Sequence, residues 1–136
     1  MKRVVLLGCL LLAVAACQLP PERVPLARLP ENGPPLPYAE LLTRARAQAT
    51  IATEAFYVNR WTDLEDAAKG LEQTARYLAK AEDVPAKQKD TLGVVSGDLG
   101  KEAVKLREAA TAKDVKQAND TLQRIHLKVR ELRLDQ

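Results

Sequence analysis

The chain has 136 residues, 46% of them hydrophobic and only 4% aromatic, with 21 basic and 18 acidic side chains. No block of like charge exceeds two or three residues, so nothing offers the basic stripe that a nucleic acid needs. One histidine, one serine and two cysteines are too few for a di-iron, three-histidine zinc or thiolate metal site within one chain.

The chain opens with Met1, Lys2 and Arg3, followed by VVLLGCLLLAVAA over residues 4–16. This apolar run is too short to span a bilayer with ease. It ends in Val14-Ala15-Ala16-Cys17 and passes into a proline-rich segment. That order resembles the lipobox of bacterial lipoproteins, the alternative being an ordinary signal peptide with an incidental Cys17. The resemblance implies that residues 1–16 are a signal peptide cut just before Cys17, and that the Cys17 thiol carries a diacylglycerol. It places the domain in the bacterial cell envelope, lipid-anchored and periplasmic. Gln18, standing where an aspartate would imply inner-membrane retention, favours the outer membrane. Removing Lys2 and Arg3 leaves 19 basic against 18 acidic residues. With Cys9 discarded and Cys17 lipidated, no thiol remains for disulfides or covalent haem.

Residues 18–37 read QLPPERVPLARLPENGPPLP and hold seven of the eight prolines. Such a segment excludes helix and central strand and favours extended polyproline II. Twenty residues at about 3.1 Å each reach roughly 60 Å. Residues 17–37 are therefore expected to be a lipidated linker that lifts a domain off the membrane.

Residues 38–136 contain one proline and four glycines and keep helical periods throughout. A first segment over 38–59 carries Leu41, Leu42, Ala45, Ala49, Ala52 and Phe56. A second carries Leu64, Ala67, Ala68, Leu71, Ala75 and Leu78, and opens with Thr62-Asp63-Leu64-Glu65, the pattern of a capping box. Trp61, just before it, is expected to staple against Ala67. A third begins near Pro85 with Leu92, Val95, Leu99, Ala103, Leu106 and Ala110 on one stripe. The last has Val115, Ala118, Leu122, Ile125, Val129 and Leu132, a heptad seam. Four amphipathic helices with short connections predict an all-α fold, an antiparallel up-down-up-down four-helix bundle over residues 38–136. Gly93, Gly97 and Gly100 fall beside the third stripe. They mark either a smooth strip for a partner helix or flat ligand, or a local break near residues 97–100.

The last helix, DVKQANDTLQRIHLKVRELR, resembles that of cytochrome c prime and of the related soluble b-type four-helix cytochromes. The resemblance rests on the H-x-x-x-R spacing of His126 and Arg130, and it implies a histidine that ligates haem iron. The c-type cysteines would stand at Leu122 and Ile125, so any haem implied is non-covalent. The b-type methionine ligand has no counterpart, since the sole methionine is Met1. By helical geometry His126 lies about 70° from the seam, a boundary position. It reads as a structural boundary residue, as the axial ligand of a non-covalently bound haem, or as a group with another metal or proton role.

Ser96 lacks a nucleophile motif, and the acidic pairs Glu65-Asp66 and Glu82-Asp83 sit near helix ends, so the domain is expected not to be an enzyme. The expected function is that of an envelope lipoprotein with a structural or protein-interaction domain. Its helix faces, with Leu127 opposite the seam and Leu134 beyond it, are candidate surfaces for a protein partner or a second copy. The membrane is engaged through Cys17.

Overall fold

The computed structural model describes residues 26–133. The expected signal peptide, Cys17, the first part of the linker and Leu134 lie outside them. The described residues are all-helical apart from connections, with five helices and a single isolated parallel bridge between Pro37 and Glu82. In chain order these are α1 (Tyr38–Tyr57), α2 (Trp61–Leu78), the one-turn α3 (Ala86–Lys89), α4 (Leu92–Ala112) and α5 (Val115–Glu131). None of them is long and apolar enough to cross a membrane.

Each of the four long helices packs on two others. α2 contacts α1 and α4, and α5 contacts α1 and α4, with α2–α4 the most extensive of these faces and α1–α5 the least. They enclose one core in which Leu41, Leu64, Leu71, Leu78, Leu99, Leu106 and Ile125 are fully buried. The stripes of the second and third segments lie inside at every position named above. Alanines fill much of the remainder, with Ala45, Ala52, Ala68, Ala103 and Ala109 all without solvent contact. Small side chains let the helix backbones approach closely and leave little interior volume.

Local chemistry explains where the helices stop. Asn59 takes a left-handed φ of 56° and the Arg60 N–H returns to the Ala55 carbonyl at 2.8 Å, closing α1. Lys113, at φ 53°, does the same for α4, with the Asp114 N–H on the Ala109 carbonyl at 2.9 Å. Asp114 then caps α5, its Oδ1 accepting from the Gln117 N–H at 2.9 Å.

Several expectations need correction. α2 begins at Trp61 behind Arg60, with no side-chain cap bond, so Thr62 and Glu65 both lie inside the helix and form no capping box. Trp61 is thus a helical residue, set edge-on to Phe56 at 6.1 Å, and Phe56 is only partly buried. Val115 is 58% exposed because it is the first residue of α5, beyond the facing helices. The third segment is two helices: α3 follows Pro85, the chain breaks at Asp90–Thr91, and α4 then runs unbroken through Gly93, Gly97 and Gly100. Near Gly93 and Gly97 there is open space, and Gly100 faces the Ala75 methyl.

The largest departure concerns the linker. Its described part, residues 26–37, does not stand off the domain but lies along α2, with Leu29 and Leu36 against the core. The Gln73 side chain accepts from the Leu29 N–H at 2.8 Å and donates to the Leu29 carbonyl. The Tyr77 hydroxyl accepts from the Gly33 N–H at 3.1 Å and donates to the Pro30 carbonyl. Lys80 reaches the Gly33 carbonyl at 3.0 Å, and Arg44 on α1 reaches that of Ala27 at 2.7 Å. Proline-rich chain leaves its carbonyls unpaired by any helix or sheet, and these side chains satisfy them.

Candidate functional site

His126 projects from α5 toward α1 across the least extensive helix contact. Its Nε2 lies 2.8 Å from the Thr53 hydroxyl, which also stands 2.9 Å from the Ala49 carbonyl. A hydroxyl has one proton, and a carbonyl can only accept it. The Thr53 proton therefore goes to Ala49, and the imidazole donates from Nε2 to the Thr53 oxygen. That arrangement satisfies both bonds in the neutral ring and has two chemical consequences. Thr53 is not activated as a nucleophile, because it gives its proton to the backbone. Nε2 is directed at the Thr53 oxygen.

His126 itself is exposed. Arg130, one helical turn further, is exposed too. On α1 His126 meets Thr53, which is bonded to the carbonyl of buried Ala49 one turn earlier. Haem needs a cavity walled by bulky apolar groups and a free imidazole nitrogen directed into it. Of the aromatic side chains, Phe56 and Tyr57 stand one helical turn beyond Thr53 and pack edge-on with each other, Phe56 also with Trp61 at the α1–α2 connection, while Tyr77 supports the linker. Tyr38, fully buried, donates to the Leu132 carbonyl and closes the other end. Burial pushes its hydroxyl pKa up, with the Arg46 charge opposing, so it remains a proton donor. As placed, His126 is exposed and meets a hydroxyl.

The remaining polar groups serve packing. Ser96, 1% exposed, donates to the Gly93 carbonyl within its own helix at 3.3 Å. Thr74, with no exposure, donates to Oε1 of the nearly buried Gln48 at 2.8 Å, tying α2 to α1. Every fully buried side-chain N or O atom among the described residues has a partner. No group of three potential metal ligands converges among those residues. Ion pairs cross between helices at Arg107–Glu72 (2.6 Å), Arg124–Glu102 (2.7 Å) and Lys128–Asp98 (3.4 Å). Partial burial would raise the Glu102 pKa, but hydrogen bonds from Arg124 and Lys105 outweigh it and hold the carboxyl below the usual range.

Gln73, Tyr77 and Lys80 are the side chains that sequence reasoning missed. All three have polar groups engaged with the backbone of the proline-rich linker. The only signal in the sequence is polar groups at four- and three-residue spacing through the last turn of α2 and just past its end. Cys17, the expected lipidation residue, lies outside the described residues. No family model, curated protein or solved structure matches the chain.

Proposed function

We propose that this chain is an envelope lipoprotein, anchored through acylated Cys17 with its domain on the periplasmic side and the outer membrane favoured. In this reading the helices form an antiparallel up-down-up-down four-helix bundle that acts as a non-catalytic structural or protein-interaction module. The V-A-A-C sequence before the proline-rich segment supports the anchor. Short connections between α1 and α2 and between α4 and α5, with each long helix packed on two others, support the bundle. The observation that carries the functional part is the engagement of His126, whose Nε2 is spent on a hydroxyl rather than directed into a cavity. The likeness to cytochrome c prime is then confined to helix order and the His126–Arg130 spacing.

Intact mass of the full chain extracted from bacterial membranes tests the anchor. The expected product begins at Cys17 and carries acyl chains, and Cys17→Ser accumulates as the uncleaved precursor. A wild-type product without lipid would sink the anchor. A stoichiometric haem complex lost in His126→Ala would sink the non-catalytic module.

A further inference from the structure

One end of the helical domain carries the α1–α2 and α4–α5 connections, and it exposes apolar side chains. Tyr57 is 73% exposed, Val58 57% and Val115 58%. Half-buried Trp61 sits among them, linked edge-on through Phe56 to Tyr57. A shallow depression lined by Asn59, Arg60, Trp61, Thr62, Asp63 and Lys113 joins the two connections into one patch, with Arg60 paired to Asp63 at 3.2 Å. The α2–α4 connection at the opposite end, residues 79–91, exposes Lys80, Glu82, Asp83, Lys87, Lys89 and Asp90 instead.

The docked linker points toward the apolar end. Reading back from α1, its contacts move along α2 in order: Leu36 at Glu82, Gly33 and Pro30 at Tyr77, Leu29 at Gln73, Arg28 at Asp66. These steps approach Trp61, while Ala27, one residue further back, meets Arg44 on α1. Leu26 is nine residues from Cys17, which at about 3.1 Å each allows roughly 28 Å. Gln73, where Leu29 is held, stands twelve helical residues from Trp61, or about 18 Å. The chain can therefore carry its N-terminal side past the patch.

We infer that in the anchored protein this patch rests on the bilayer, with Tyr57, Val58, Trp61 and Val115 in the headgroup layer and Lys113 at the phosphates. The inference rests on the proposed lipidation of Cys17. Tyrosine and tryptophan rings, apolar in body and polar at one edge, favour that layer. So small a patch binds lipid weakly alone, but a short tether makes the contact intramolecular, at an effective concentration up to about millimolar. The linker then sets orientation rather than distance.

Trp61 is the only tryptophan, so its fluorescence reports on the patch alone. The full chain, its lipidation checked by intact mass, is reconstituted in phosphatidylethanolamine–phosphatidylglycerol vesicles containing lipids spin-labelled near the headgroup. Trp61 emission is expected to be quenched, with loss of quenching in Tyr57→Ser/Val58→Ser. It should also fall in Gln73→Ala/Tyr77→Phe, where the linker is freed and the domain can turn away. Lipidated, vesicle-bound protein whose Trp61 is unquenched overturns the membrane contact while sparing the anchor, and gives the patch to a protein partner. Quenching that survives unchanged in both variants overturns it as well. A chain recovered without lipid removes the anchor and this inference together.

Discussion

The side-chain amide of Gln73 pairs with both the N–H and the carbonyl of Leu29, 44 residues earlier in the chain. A side chain thereby treats a stretch of linker as a neighbouring strand would, at a point where no strand exists. The pairing works because the amide presents a donor and an acceptor side by side, matching the two groups of one extended residue.

Gln73→Ala removes both bonds and should cost the docked linker about 1–2 kcal/mol. Because the helices keep their own core, helical content should be unchanged while trypsin cuts faster after exposed Arg28. An unaltered cleavage rate would mean that Leu29, Leu36 and Tyr77 hold the segment without Gln73.

His126 and Thr53 should behave as a modest latch between α5 and α1. His126→Ala and Thr53→Val are each expected to cost about 0.5–1 kcal/mol, the net worth of one hydrogen bond. The double variant should cost little more than either alone, since both remove the same bond. Urea denaturation of the four proteins measures this directly, and full additivity would show that the pair does not interact in solution. Haemin added to wild type and His126→Ala should give the same absorption spectrum.

The helical stripes were legible because leucines and alanines repeat at the period of the surface they bury. Ala118, Leu122, Ile125, Val129 and Leu132 are all inside. Buried Thr74, Thr121, Ser96 and Gln48 escaped the same reading, since a polar residue enters a core only when a specific partner waits there. Thr74 has Gln48 and Thr121 accepts from Arg124 at 3.1 Å, neither visible from spacing. The linker misled for the opposite reason. Its prolines do exclude helix, but composition says nothing about whether Leu29 and Leu36 find a groove. At His126 the boundary position was readable from the helical wheel. The hydroxyl that occupies its nitrogen comes from Thr53, 73 residues away, and required the fold.

Acid should weaken the α4–α5 face through Glu102. Hydrogen bonds from Arg124 and Lys105 hold its folded pKa below the ordinary glutamate value, about 4.3 in an unfolded chain. Stability from this carboxylate is therefore complete above that value and is lost as pH falls through the lower folded one. Glu102→Gln should be less stable than wild type at neutral pH, and the two stabilities should converge across the acidic range below the ordinary glutamate value. Denaturation midpoints measured along that range check it. A gap that stays constant with pH would assign the loss to packing instead of charge.

The glycines separate helix propensity from packing within a single protein. Gly93 and Gly97 lie inside α4 with open space where a Cβ would go, and neither has a positive φ. Alanine at either position should raise stability by about 0.5–1 kcal/mol, the backbone freedom that glycine otherwise surrenders. Gly70 is also helical, but a Cβ there would stand 2.7 Å from Nε2 of Gln48. That amide is held by its bond to Thr74 in a site only 6% exposed, so it cannot swing away without leaving the Thr74 hydroxyl unpaired. An unpaired buried polar group costs about 1–3 kcal/mol, more than the propensity gain. Gly70→Ala should therefore destabilise while Gly97→Ala stabilises, and thermal melts of the two variants should move in opposite directions. A Gly70→Ala protein that melts above wild type would show that Gln48 has another rotamer open to it and that the α1–α2 contact is looser than its alanines suggest.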